Sequence, residues 1–239
     1  MIRIVDLSHP LVPGKQRFRL DVESFPVNEY VPGYQVAEGE WYIMQELRIC
    51  SHVGTHVEAP FHALADGLKA GRIDHRRLIG AAAVVDFSDK ERNEPISGEE
   101  MEAKGRHVQP GDIVLIKTGL SKHYGTPQYQ RPYLEESAID WLIDKNVKCV
   151  GVDCSGIENK TINSRQVNHR KLFRRNIPLI EDMNNLDKLE HRRVFFLALT
   201  LPIENLDASP LRPIAIEPLE ECEELMKIFL GKETRWLGP

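Results

Sequence analysis

Residues 51–62 read "SHVGTHVEAPFH" and carry three of the chain's nine histidines, His52, His56 and His62, with Glu58 among them. Imidazole nitrogens and a carboxylate oxygen are donors suited to zinc or manganese. Histidine is also the side chain that moves protons near neutral pH. A metal site and an acid/base relay are therefore the chemistries on offer. The plain alternative is a polar strand face whose imidazoles only hydrogen-bond. No cysteine lies inside the motif, which argues against a structural zinc knuckle.

Spacing decides how such donors can meet. His52 and His56 are four apart, as are Glu58 and His62, the interval of helical metal pairs. Val53, Gly54, Thr55, Val57 and Pro60 nevertheless make a poor helix interior. As a strand, His52, His56, Glu58 and His62 share one face and Val53, Val57, Ala59 and Phe61 the other. His56 and Glu58 then stand roughly 6.6 Å apart, within reach of one ion. His52 and His56 stand roughly 13 Å apart, too far for two imidazoles on one ion unless the chain bends. Gly54 sits where that bend is needed, and Pro60 is expected to end regular pairing before His62.

The elements that must hold this motif are legible along the chain. Strands are expected at "IRIVDLS", at 40–51 leading into the motif, and at 81–88, with a Pro- and Gly-containing loop over 12–39. Ser97 and Glu100 make a capping-box pattern that opens a short helix. A strand at 112–119 precedes a helix over 134–146 with Ala138, Ile139, Leu142 and Ile143 on one face. Further strands are expected at 147–153, 177–182 and 192–203, and a helix at 164–175. In that helix His169 shares a face with Leu172 and Phe173 and so points inward. A strand-rich start and an alternating end predict an α/β domain with a mixed sheet. No composition break marks a second domain, so residues 1–239 are expected to form one.

Composition bounds the partners. Charged residues make up 28% and the hydrophobic set 41% of a 239-residue chain with net charge −5, enough for a proper core and without the basic footprint of a nucleic-acid binder. The basic run "NHRKLFRR" at 168–175 reads as a solvated helix face. No signal-peptide pattern opens the chain and no apolar run approaches the ~18 residues of a membrane span. Cys50, Cys149, Cys154 and Cys222 have no metal-type spacing and are too few for a disulfide frame. A soluble cytoplasmic protein with reduced thiols is the expectation, and the sequon at 159–161 carries no weight. Neither a GxSxG elbow nor a phosphate-cradling or dinucleotide glycine motif is present. Cys154 follows a strand and reads as a buried small residue rather than a nucleophile.

The motif resembles the HxGTHxDxPxH signature of the cyclase-type metal-dependent hydrolases, the family of bacterial kynurenine formamidase and isatin hydrolase. "IVDLSHPL" at 4–11, "GDIVLIKTG" at 111–119, "VKCVGVDCSGIE" at 147–158 and "LPIENLDASPLRPIAI" at 201–216 are similar to other segments of that family. His169 and Glu181, twelve apart, match its downstream pair. The resemblance implies a swivelling β/β/α fold, usually dimeric, with one or two divalent metals, Zn²⁺ or Mn²⁺. It implies that His52, His56 and Glu58 are metal ligands, that His62 is a ligand or a catalytic base, that Glu181 completes a second site, and that His169 transfers protons. Glu58 stands where the family usually has aspartate, which leaves the number of ions open, because a bridging carboxylate must span two ions about 3.5–4 Å apart.

The activity so implied is hydrolysis of a non-peptide amide, an aryl formamide such as N-formylkynurenine or a cyclic aromatic amide, by metal-activated water. His62 or His169 would relay the proton to the leaving nitrogen. Tyr30, Tyr34, Trp41 and Tyr42 precede the motif and offer themselves either as walls of a flat pocket or as packing. Two other readings use the same residues: a metal-dependent lyase or cyclase, and a non-catalytic ligand-binding member of the fold. The partner expected is a small-molecule substrate, with no nucleic acid and no membrane.

Overall fold

A computed structural model describes residues 1–91, 93–126, 131–159, 165–232 and 234–235. The last two residues of the sequon and Ser164, the first of the expected 164–175 helix, lie outside the described residues. The chain forms β1 (Arg3–Asp6), β2 (Leu20–Pro26), the single turn α1 (Val27–Tyr30), β3 (Ile43–Ile49), β4 (His56–Glu58) and β5 (Ile79–Asp86). Then come β6 (Pro95–Ile96), α2 (Gly98–Lys104), β7 (Ile113–Lys117), β8 (Tyr133–Leu134), α3 (Glu136–Asp144) and β9 (Cys149–Val152). The chain continues with α4 (Val167–Arg174), β10 (Leu179–Glu181), β11 (Arg193–Leu197), β12 (Ala208–Pro210), β13 (Ile214–Glu217) and α5 (Glu223–Leu230).

Among the described residues nine strands make one mixed sheet in the order β1-β13-β11-β5-β7-β9-β10-β4-β12. Its centre, β5-β7-β9-β10, is parallel, and antiparallel strands flank it on both sides. Parallel neighbours need crossovers, and α2, α3 and α4 supply them. Buried on both faces, the central strands read as nearly continuous apolar runs such as Ile113-Val-Leu-Ile116. Val114, Ile116, Val150 and Val152 meet Ile139, Leu142, Leu172 and Phe173 of the helices on one face. Ile113, Leu115, Cys149 and Ile180 join Leu7, Leu78, Val194 and Phe196 on the other.

The expected α/β mixed sheet is the one found, and the Ser97 capping box forms in both directions, Glu100 N to Ser97 Oγ and Ser97 N to Glu100 Oε2. Some boundaries move. The strand expected over 192–203 ends at Leu197, and the histidine stretch is a strand only over His56–Glu58. Within the expected loop 12–39, β2 pairs with β3 along its length as a separate two-stranded ribbon. Its glycines and prolines sit at the ribbon's ends, where they mark turns rather than a structureless segment. Helix α5, not anticipated, lies over Ile79 and Phe195. Among the described residues no helix is long and apolar enough to cross a membrane.

Candidate metal centre

Strand register brings the first donors together. In the antiparallel pair of β4 and β10, His56 lies opposite Glu181 and Val57 opposite Ile180. Directly paired residues share a face, so His56, Glu58 and Glu181 project on one side while Val57 and Ile180 enter the core on the other. The bend expected at Gly54 is present, with φ +63°, and it folds His52 back toward His56. Pro60 stops the strand by opening a single 3₁₀ turn, Pro60–His62, in which His62 N donates to Ala59 O at 2.9 Å. That turn returns His62 to the same side. Helix α4 lays Leu172 and Phe173 into the core and thereby lowers His169, also buried, onto the cluster.

In the four imidazoles an outer nitrogen holds an acceptor and an inner nitrogen faces Glu58, with the inner nitrogens His52 Nδ1 and His56 Nε2 also 3.0 Å from each other. His52 Nε2 donates to Asp207 Oδ2 at 2.8 Å and His62 Nδ1 to the same oxygen at 3.1 Å. His56 Nδ1 donates to Gly54 O at 2.8 Å, and His169 Nδ1 to Glu158 Oε1 at 2.9 Å. Inside, Glu58 Oε1 lies 3.2 Å from His52 Nδ1, 3.8 Å from His56 Nε2 and 3.6 Å from His62 Nε2. The other oxygen, Oε2, lies 3.2 Å from His169 Nε2, which is 3.5 Å from Glu181 Oε1. Metal-binding histidines commonly donate the remote N–H to a carboxylate or carbonyl in this way.

Two donor groups of ligand dimensions follow, His52–His56–Glu58 and Glu58–His169–Glu181, each with ligand atoms within 4.8 Å of one another. Glu58 belongs to both. Its Oε2 is buried, is approached by His169 Nε2 at 3.2 Å and makes no hydrogen bond of regular geometry among the described residues, so a cation would complete its coordination. The donor set therefore fits divalent ions. A third group, His52–His62–Asp207, uses the outer nitrogens on the rim.

Protonation is set by this crowding. Burial works against a charged His169, yet the carboxylates of Glu158, Glu181 and Glu58 hold its pKa well above the ordinary value. His52 is raised to about 9, against burial, by Glu58 and Asp207. His56 is also raised against burial, with Glu58 and Glu181 as partners. Glu58 is held well below the usual carboxylate range, in spite of burial, by His169, His52 and His56. Asp207 is likewise lowered, against burial, by His52 and His62. Imidazoles and carboxylates here stabilise each other's charged forms, and binding of a metal by these nitrogens releases their protons.

All six residues anticipated from the sequence, His52, His56, Glu58, His62, His169 and Glu181, are brought together. His169, assigned proton transfer by resemblance, stands in the geometry of a ligand in the second group. Asp207 and Glu158 were missed. Asp207 is 145 positions from His62 in the chain, and no local spacing signals such a pair. The sequence offered Tyr30, Tyr34, Trp41 and Tyr42 either as pocket walls or as packing. They lie exposed in or beside the ribbon, Tyr34 against Tyr42 and Tyr30 against Phe25. Among the described residues, Phe18 lies 6.3 Å between centroids from His52 and Phe173 5.8 Å from His169. Cys154 is buried and its thiol pKa is pushed up by that burial, which suits packing and not nucleophilic attack.

Comparison with known proteins agrees with the motif. The Cyclase family model matches residues 5–159. The uncharacterized protein MJ0783 of Methanocaldococcus jannaschii is 32% identical over 222 residues, 90% of this chain and 100% of that protein. A kynurenine formamidase of Bacillus cereus is 28% identical over 176 residues, 73% of this chain and 79% of that protein. Isatin hydrolase A of Ralstonia solanacearum superimposes with a TM-score of 0.77 at 24% identity, over 91% of this chain and 92% of that one.

Proposed function

The chain belongs to the Cyclase family, and we propose that it is a metal-dependent hydrolase that cleaves an aryl formamide or a cyclic aromatic amide. One observation carries the reading: Glu58 turns its two oxygens to different donor groups, Oε1 to His52 and Oε2 to His169. Two zinc or manganese ions would be held by His52 Nδ1, His56 Nε2 and Glu58 on one side, and by Glu58, His169 Nε2 and Glu181 on the other. When bound, such ions lower the pKa of a water and polarise a carbonyl.

The chain's own residues supply the rest. His62 keeps its Nε2 toward Glu58 and remains partly open to solvent. In this reading that nitrogen takes a proton from water and returns it to the leaving amide nitrogen, a role suited to an imidazole. Asp207 holds the opposite ring nitrogen during this exchange. Phe18, beside His52, offers a flat apolar face to an aromatic substrate. Burial of Glu58, His56, His169 and Glu181 excludes bulk water from the floor of the site.

The test is metal content in protein purified without chelator, followed by assays on N-formylkynurenine and isatin with added zinc or manganese. Two ions per chain and hydrolysis of one of these substrates are expected. Bound metal with no hydrolysis of either would overturn the substrate class. An absence of metal even after soaking would overturn the hydrolase reading.

A further inference from the structure

We propose that Asp207 is a positioning residue that fixes His52 and His62 as a pair, holding both rings in the tautomer whose bare nitrogen faces Glu58. The proposal rests on the metal-centre reading above. Asp207 Oδ2 lies 2.8 Å from His52 Nε2 and 3.1 Å from His62 Nδ1, and the two ring centroids are 4.6 Å apart. An ionised carboxylate only accepts hydrogen bonds, and a neutral imidazole has one N–H and one lone pair. Each outer nitrogen must then carry the N–H. The lone pairs of the neutral rings fall on His52 Nδ1 and His62 Nε2, the two atoms that face Glu58 Oε1.

Asp207 is itself anchored to the strand that carries the other ligands. Ser51 Oγ donates to its Oδ1 at 2.9 Å, and Ala59 N donates to its carbonyl at 2.9 Å. The next residue opens β12, where Ala208 lies opposite Glu58. The carboxylate therefore moves with Glu58 and carries both imidazoles with it. His56 and His169 differ in having separate acceptors, Gly54 O and Glu158 Oε1. Rotation of either His52 or His62 abandons the shared oxygen, so one carboxylate sets the ligand geometry of the first ring and the proton-accepting direction of the second.

The experiment combines zinc competition against a chelator with long-range ¹H–¹⁵N spectra of the zinc-loaded histidines, in wild type, Asp207→Asn and Asp207→Ala. Wild type is expected to show His52 as the Nε2–H tautomer and His62 as the Nδ1–H tautomer. In Asp207→Ala, zinc affinity should fall about 10–100-fold, the usual cost of losing such a partner, and the His62 tautomers should mix. Asp207→Asn retains the side-chain volume and an accepting oxygen and should lie between the two. The His56 signal, whose acceptor is a backbone carbonyl, should stay unchanged in both variants, which a general loss of structure would not allow. Unchanged tautomers with zinc affinity within about twofold of wild type would overturn the role of Asp207. Wild-type protein that binds no zinc would instead overturn the metal-centre reading beneath it.

Discussion

Glu58 shows how one methylene is absorbed. Against the aspartate usual at this position, the longer side chain left open whether one ion or two could be held. Its two oxygens in fact face different donor groups, Oε1 toward His52, His56 and His62 and Oε2 toward His169. The length that put bridging in doubt lets one carboxylate span both groups. The position of His169 carries a consequence of its own. With Nε2 turned to Glu58 and Glu181, replacement by alanine is expected to release one of two bound ions while His52 and His56 keep the other. Metal analysis of His169→Ala checks this; two retained ions with lowered turnover would return the residue to proton transfer alone.

At the scale of elements, the centre depends on two short interruptions of a strand. Gly54 adopts φ +63°, and a Cβ added there would stand 2.3 Å from Leu11 Cδ2. Gly54→Ala should therefore cost about 1–2 kcal/mol for the left-handed backbone, plus whatever displacement of Leu11 requires. Urea unfolding of the metal-free variant reads the stability loss, and a midpoint equal to wild type would show that the turn relaxes freely. Pro60 acts oppositely, by ending the ladder: it has no N–H to donate, and the 3₁₀ turn it opens supplies the return of His62. Between these two breaks, three residues of true strand suffice, because β10 and β12 pair with β4 on either side.

The whole molecule leaves one surface unexplained by its own packing. Among the described residues the ribbon of β2 and β3 pairs only with itself, and Leu20, Val22, Ile43, Leu47 and Ile49 share one face by register. Leu47 is 63% exposed and Ile49 44%, although a lone two-stranded hairpin is marginal in water. We assign to this face the homodimer contact that the family resemblance implies, with a second copy covering the apolar side. Leu47→Asp should then sediment as a monomer at concentrations where wild type is a dimer. A monomeric wild type would remove the assignment.

The histidine motif alone determined the donor types, the need for a bend at Gly54 and the end of pairing at Pro60, because those are local properties of spacing and backbone freedom. Hydrophobic periodicity likewise determined the α/β class and the inward face of α4, and the Ser97–Glu100 spacing determined the cap. Only the tertiary structure decided that His169 reaches Glu58, that Asp207 serves two imidazoles at once, and that the aromatics of 30–42 lie on a ribbon while Phe18 meets the centre. Those pairings join residues far apart in the chain, and their geometry follows from sheet order and register, to which β4, β10 and β12 contribute jointly. A local pattern fixes which way a side chain points from its own backbone, but which other side chain it meets depends on where the rest of the chain has been laid down.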